Sequence, residues 1–247
     1  MNPQTATGRG GVGLPCYFDQ QDFLSVLKSY MLQLLSPMIS RLKPGEFFLE
    51  KTPEHGMFIP EIKELLPECR IIHILRDGRD VVASILAASR TWGSSWAPRN
   101  ARGAALMWVE RVQTTRDAAR KLSEREFCEV TYEELWASTD RVLKRLSEFL
   151  GITWSDAEIR DAIDANRSDV TKAGGGTPVP IYGEVAKRTG PVAREPEEFV
   201  HRGMPGGWKK DLSLREKFQV WCVASGTMAE AGYPSSLSRW LFVDGPS

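Results

Sequence analysis

Arg70-Ile71-Ile72-His73-Ile74-Leu75-Arg76-Asp77-Gly78-Arg79-Asp80-Val81-Val82-Ala83-Ser84 is the stretch on which the fold is decided. A run of β-branched and apolar residues ends in an arginine, and a helical apolar period takes over at once through Val81, Val82, Ile85, Leu86 and Ser89. The spacing predicts a strand over 70–76 and a helix over 78–89. On that helix Asp80 and Ser84 stand one turn apart, on a face separate from the apolar stripe. A guanidinium at a strand end, a hydroxyl eight residues further on and the positive end of a helix are the parts of an anion site. Singly they say less: Arg76 alone reads as an ion-pair partner for Asp77 or Asp80, and Ser84 alone as a small packing residue.

Upstream, apolar residues recur at helical spacing from Asp19 to Lys43, with Pro37 kinking or ending the helix and Pro44-Gly45 stopping it. Phe47-Phe48-Leu49 reads as a short buried strand, and 58–66 as a helix closed by Pro67. Downstream, a long helix carrying Leu106, Val109 and Val112 is expected over 101–122, then a strand over 127–131. Helices follow over 140–150, 156–166 and 214–231. Strands alternating with helices predict an α/β fold, a three-layer parallel sheet flanked by helices, whose ligands lie at the carboxyl ends of the strands. Lys51, Arg76 and Tyr132 fall at such ends.

With 247 residues and 42% apolar content the chain can bury one sizeable core, so 1–247 is expected to be a single domain. Residues 1–15 read as a flexible tail, and 171–207, with Gly174-Gly175-Gly176 and prolines from Pro178 to Pro205, as a long lid-like loop. Lys and Arg (32) balance Asp and Glu (32), which leaves no global field to draw in nucleic acid or an anionic membrane. Four cysteines without a Cys-x-x-Cys pair argue against a zinc ribbon or a disulfide framework and favour a reducing, cytoplasmic setting. Neither a signal pattern in 1–13 nor an apolar stretch near the roughly 20 residues of a membrane span is present.

Several separated motifs, in order, resemble sulfotransferases that use 3′-phosphoadenosine 5′-phosphosulfate (PAPS). The resemblance covers about residues 46–232 and implies a P-loop-kinase-like sulfotransferase fold. In that family an arginine ending a strand and a serine eight residues on hold the donor's 3′-phosphate, which implies that role for Arg76 and Ser84. His201-Arg202-Gly203-Met204-Pro205-Gly206-Gly207-Trp208-Lys209 is similar to the family's Arg-Lys-Gly-x-x-Gly-x-Trp-Lys loop, which implies that His201, Arg202 and Gly203 close over the same phosphate, with His in place of the first Arg. Val130-Thr131-Tyr132-Glu133-Glu134-Leu135 resembles the family's Tyr-Glu-Asp-Leu and implies that Tyr132 lies near the adenine.

Glu50-Lys51-Thr52-Pro53 resembles a tetrad of the carbohydrate-modifying branch, in which the lysine approaches the transferring group, so Lys51 is the expected catalytic cation. Sulfuryl transfer needs in-line placement and charge neutralisation on the bridging oxygen, tasks that suit an ammonium. His55 or Glu54, just beyond, is the expected base for the acceptor. Trp92, Trp96 and Trp108 are candidates for an aromatic acceptor wall, or for packing. The resemblance implies PAPS as donor and adenosine 3′,5′-bisphosphate (PAP) as product, no metal, and a small-molecule or carbohydrate acceptor, with a homodimer compatible with it.

The family's N-terminal strand and Lys/Arg-Ser-Gly-Thr-Thr loop, which cradle the 5′-phosphosulfate, have no counterpart here. Gly8-Arg9-Gly10-Gly11-Val12-Gly13 matches Gly-x-Gly-x-x-Gly without a preceding strand and with Leu14-Pro15 after it. The first strand and loop are thus expected to be missing, the chain being a piece of a longer sulfotransferase, or replaced by another element such as one from a second chain. A nucleotide-binding but catalytically weak or inactive protein on the same scaffold is the alternative.

Overall fold

The computed structural model describes residues 19–166, 179–180, 192–193 and 203–241. The expected tail at 1–15 lies outside them, as does most of the 171–207 segment. The chain divides into two compact units.

The first unit, residues 1–50 with Pro60–Glu68, contains α1 (Gln20–Ile39) and most of α2 (Ile59–Leu65). Asp19 caps α1 by accepting from the Asp22 amide at 2.8 Å. Pro37 neither kinks the helix early nor stops it, because it sits in the last turn. The Gln33 carbonyl that proline cannot serve accepts instead from the Ser36 hydroxyl at 2.8 Å. The strand expected at Phe47-Phe48-Leu49 does not form, and Leu49 is 78% exposed. A strand exists only through a ladder with a neighbour, and among the described residues this stretch has none. Lys51 therefore follows a loop and not a strand end.

The second unit, Lys51–Ile59 with the chain from Cys69 on, carries the α/β fold. β1 (Ile71–Leu75) and β2 (Phe127–Thr131) pair in parallel, with Ile71 opposite Phe127 and Leu75 opposite Thr131. Parallel strands need a crossover, here α3 (Gly78–Ser89) and α4 (Ala101–Ala119). After β2 come α5 (Tyr132–Ala137), α6 (Thr139–Leu150) and α7 (Asp156–Ala165). A small antiparallel pair, β3 (Val179–Pro180) with β4 (Val192–Ala193), precedes α8 (Trp208–Asp211), α9 (Leu214–Glu230) and α10 (Leu237–Leu241).

The core joins Val82, Ile85 and Leu86 of α3 to α4 and to Val220, Ala224 and Met228 of α9. On α4 the inward residues are Ala101, Ala104, Ala105, Trp108, Val112 and Thr115, a stripe at helical spacing of which half is alanine. Leu106, larger and more hydrophobic than these alanines, is exposed. Small side chains allow α4 to approach α3 closely, and close approach outweighs the larger residue's hydrophobicity in choosing the face.

One polar cluster spans the parallel pair. His73 and Glu129 are cross-strand neighbours, and Glu129 shares a 2.9 Å bond with the His73 Nδ1. Arg116 of α4 donates to Glu129 through Nη2 at 2.6 Å and Nε at 3.1 Å. His73 is thus a satisfied structural residue, as its place inside a strand predicts. Burial alone would raise the Glu129 carboxyl, but the bonds from His73 and Arg116 outweigh it and hold the pKa down from 4.5 to about 2. A depressed folded pKa stabilises above the unfolded value and ceases to do so as pH falls through the folded one. Stability should therefore drop between about pH 4.5 and pH 2 by an amount on the order of 3 kcal/mol. In urea titrations across that range Glu129→Gln should flatten the dependence, and an unchanged slope would remove Glu129 as its source.

Candidate functional site

Between β1 and α3 the chain turns in two residues, Arg76 and Asp77. Asp77 caps α3, accepting from the Arg79 amide at 2.9 Å. It also takes the Arg79 side chain, with Nε at 2.9 Å and Nη2 at 2.6 Å. Arg79 in turn lies flat against two indoles, 4.1 Å from the Trp208 ring and 4.9 Å from the Trp240 ring. Arg79, not Arg76, is thus the partner of Asp77.

Arg76 is built differently. Its carbonyl accepts from the Trp108 indole at 3.2 Å, which fixes the backbone, and its guanidinium stacks on Tyr132 at 4.3 Å. Its Nε is buried and has no hydrogen-bond partner among the described residues. A guanidinium with a buried, unused donor is a group suited to meet a partner that the described residues do not supply.

Arg76 lines a cleft of about 310 Å³ together with Ser84 and Ala88 of α3, Trp92, Trp96, Tyr132 and the turn Gly203–Gly207. Tyr132 opens α5, where Thr131 and Glu134 form a reciprocal capping box, and its hydroxyl donates to the Gly203 carbonyl at 2.6 Å. Opposite, Asp80 accepts from the Gly206 amide at 2.7 Å and the Trp208 amide at 2.9 Å. Burial raises the Asp80 carboxyl above its ordinary value, more than those amides and Arg76 lower it. Gly203 and Gly206 hold positive φ of 62° and 81°, the left-handed backbone that the turn requires.

The fold thus brings Arg76, Ser84, Tyr132 and Gly203 to one cleft. His201 and Arg202 lie outside the described residues. Lys51, Glu54 and His55 do not line this cleft. Glu54 and His55 belong to a single-turn helix, Pro53–Met57, where a Glu54 oxygen accepts from Arg111 of α4 at 3.1 Å. Of the three tryptophans, Trp92 and Trp96 meet at 5.4 Å on the cleft wall, whereas Trp108 is buried beneath Arg76 as packing. Sequence reasoning missed Asp80 as the holder of the glycine turn. It also missed Glu133, which accepts from the Asp77 amide at 3.1 Å and from Tyr233 at 2.7 Å. A carboxylate in the first turn of a helix facing the cleft was the available signal.

A model of the sulfotransferase family matches residues 13–156. The chain belongs to the sulfotransferase family. A 95-residue segment is 30% identical to protein-tyrosine sulfotransferase A of Caenorhabditis elegans, covering 38% of this chain and 25% of that protein. The chain thus spans about a quarter of the length of this curated relative. The crystal structure of mouse sulfotransferase SULT7A1 complexed with PAP superposes with a TM-score of 0.53 at 17% identity, covering 69% of this chain and 61% of that one. That likeness speaks to the fold, and it agrees with the α/β class and parallel sheet expected from the sequence. Among the described residues no helix is long and apolar enough to cross a membrane.

Within this sulfotransferase-family fold Gly78 is a point of close approach between α3 and α4. A Cβ there would lie 2.9 Å from the Trp108 ring, which core packing prevents from retreating. Gly78→Ala should cost roughly 1–3 kcal/mol in urea unfolding. Gly226→Ala, where nothing lies within 4 Å, should be neutral or gain up to about 1 kcal/mol as a helix glycine replaced by alanine. Equal effects would refute the packing argument.

Proposed function

We propose that the chain transfers a sulfuryl group from PAPS to a hydroxyl or amine of a small-molecule or carbohydrate acceptor. The observation that carries this reading is the buried, unpartnered Nε of Arg76 in a cleft shared with Ser84, Tyr132 and Gly203. Arg76 and Ser84 hold the 3′-phosphate, joined by His201, Arg202 and the Gly203 turn, while Tyr132 supports the guanidinium and faces the nucleoside. A phosphomonoester carries close to two charges, and a guanidinium fork with backbone donors meets it without a change of protonation.

The donor supplies the activated sulfuryl group. Lys51 neutralises the departing or bridging oxygen, and His55 or Glu54 takes the acceptor's proton. Trp92 and Trp96 supply a flat wall for the acceptor.

A second reading, a protein that holds the nucleotide but turns over weakly or not at all, has its own support. Lys51 follows a loop, and none of Lys51, Glu54 and His55 lines the cleft. Transfer of labelled sulfate from PAPS to a mixed acceptor panel separates the two readings.

The 3′-phosphate assignment is tested by thermal shift. At a hundredfold excess over Kd a ligand adds about 2.7 kcal/mol, several degrees in Tm for a chain this size. Adenosine 3′,5′-bisphosphate should produce that shift and adenosine 5′-monophosphate little of it, and Arg76→Gln should abolish the difference. Equal shifts from both nucleotides would end the assignment.

A further inference from the structure

Asp80 presents a contradiction in sign: a carboxylate only 4% exposed that lines a cleft read as an anion site. Alone it would repel a phosphate, and burying it unpaired would cost far more than an exposed carboxylate does. Arg79 does not relieve it, because that guanidinium is engaged by Asp77 and two indoles. What offsets the charge is the pair of amide donors from Gly206 and Trp208, at 2.7 and 2.9 Å, which join residues 126 and 128 positions apart in the chain.

Those two bonds fix one end of the turn, and Tyr132 fixes the other at Gly203 at 2.6 Å. Beyond the turn, Trp208 is 2% exposed against Arg79, and Lys217 donates to the Lys209 carbonyl at 2.9 Å. A turn tied at both ends has less conformational freedom to lose on binding than a free one.

We infer that Asp80 is a positioning residue: its carboxylate holds the Gly203–Trp208 turn over the Arg76–Ser84 cleft in the absence of ligand, so that the turn's donors and the guanidinium converge on a phosphate. The inference rests on the 3′-phosphate reading of the cleft. It concerns a residue that touches the turn, with no contact to the phosphate required.

Amide deuterium exchange and nucleotide affinity test it together. In Asp80→Asn one oxygen that accepts becomes an NH₂ that cannot, so the Gly206 and Trp208 amides should exchange faster. Affinity for adenosine 3′,5′-bisphosphate should fall roughly ten- to hundredfold, the worth of one or two charge-assisted bonds. Affinity for adenosine 5′-monophosphate should not change. Equal losses for both nucleotides would make Asp80 a general structural residue and overturn the inference, as would undiminished bisphosphate binding. If the variant does not fold, the wild-type chain decides: both amides should be as protected without nucleotide as with it, and protection that appears only on binding overturns preorganisation. If wild type fails to distinguish the two nucleotides, the 3′-phosphate reading fails, and the exchange rates still show whether the carboxylate holds the turn.

Discussion

The buried guanidinium of Arg79 constrains everything around the cleft. It is 5% exposed, and a charge so placed must be fully compensated or it would destabilise the fold by several kcal/mol. Compensation comes from three directions: the Asp77 carboxylate in its plane, Trp208 on one face and Trp240 as a second aromatic contact. These partners come from the β1–α3 turn, α8 and α10, so one side chain ties the start of the crossover helix to the C-terminal elements. Asp77 is itself held by Glu133 through its amide, and Glu133 by Tyr233. The turn that presents Arg76 is therefore specified by parts of the chain far from it in sequence.

Against that background the cationic side chains separate by what they lack. Arg79 and Arg116 have carboxylate partners within 2.6 Å, and Arg116 gains the Glu230 carbonyl at 3.0 Å. Arg76 has aromatic stacking and a fixed backbone but a buried Nε with no acceptor among the described residues. All three are held by surrounding packing, so loose placement does not explain the difference. The stacking on Tyr132 also limits how the fork can turn, and it directs the unused donor while Tyr132 itself reaches on to Gly203.

Much of this was legible from local pattern. β1 and α3 read correctly because an apolar run and a change to helical period coincide within about fifteen residues, and each signal is short-range. The pairing of Arg76 with Ser84 is equally local, one strand end and two helical turns. Non-local physics accounts for the failures. Phe47-Phe48-Leu49 has strand composition, but a strand is a property of a pair, and no neighbour is present for it among the described residues. Leu106 is more hydrophobic than Ala105, yet α4 turns its alanines inward because the partner helix needs closeness. The role of Asp80 was not legible, because the partners it holds are backbone amides more than a hundred residues away, which carry no side-chain signature.

The same helix supports both halves of the candidate chemistry. On α4, Trp108 lies beneath Arg76 and against Gly78, while Thr115, two turns on and on the same face, donates to the Gly56 carbonyl at 3.2 Å. A Cβ on Gly56 would meet the Thr115 hydroxyl at 2.6 Å, so the short helix carrying Glu54 and His55 is seated directly on α4 with no room to slide. Seven residues of helix rise about 10 Å. That rise sets the order of the distance between the supports of the anion grip and of the proposed acid-base groups, and a donor that engages both must reach across it. Because Trp108 and Thr115 are both buried in the α4 face, the spacing is fixed by a rigid element. A change that bends α4 between Trp108 and Thr115 would therefore move the proposed phosphate grip and the proposed catalytic groups relative to one another, even if every contacting residue were left in place.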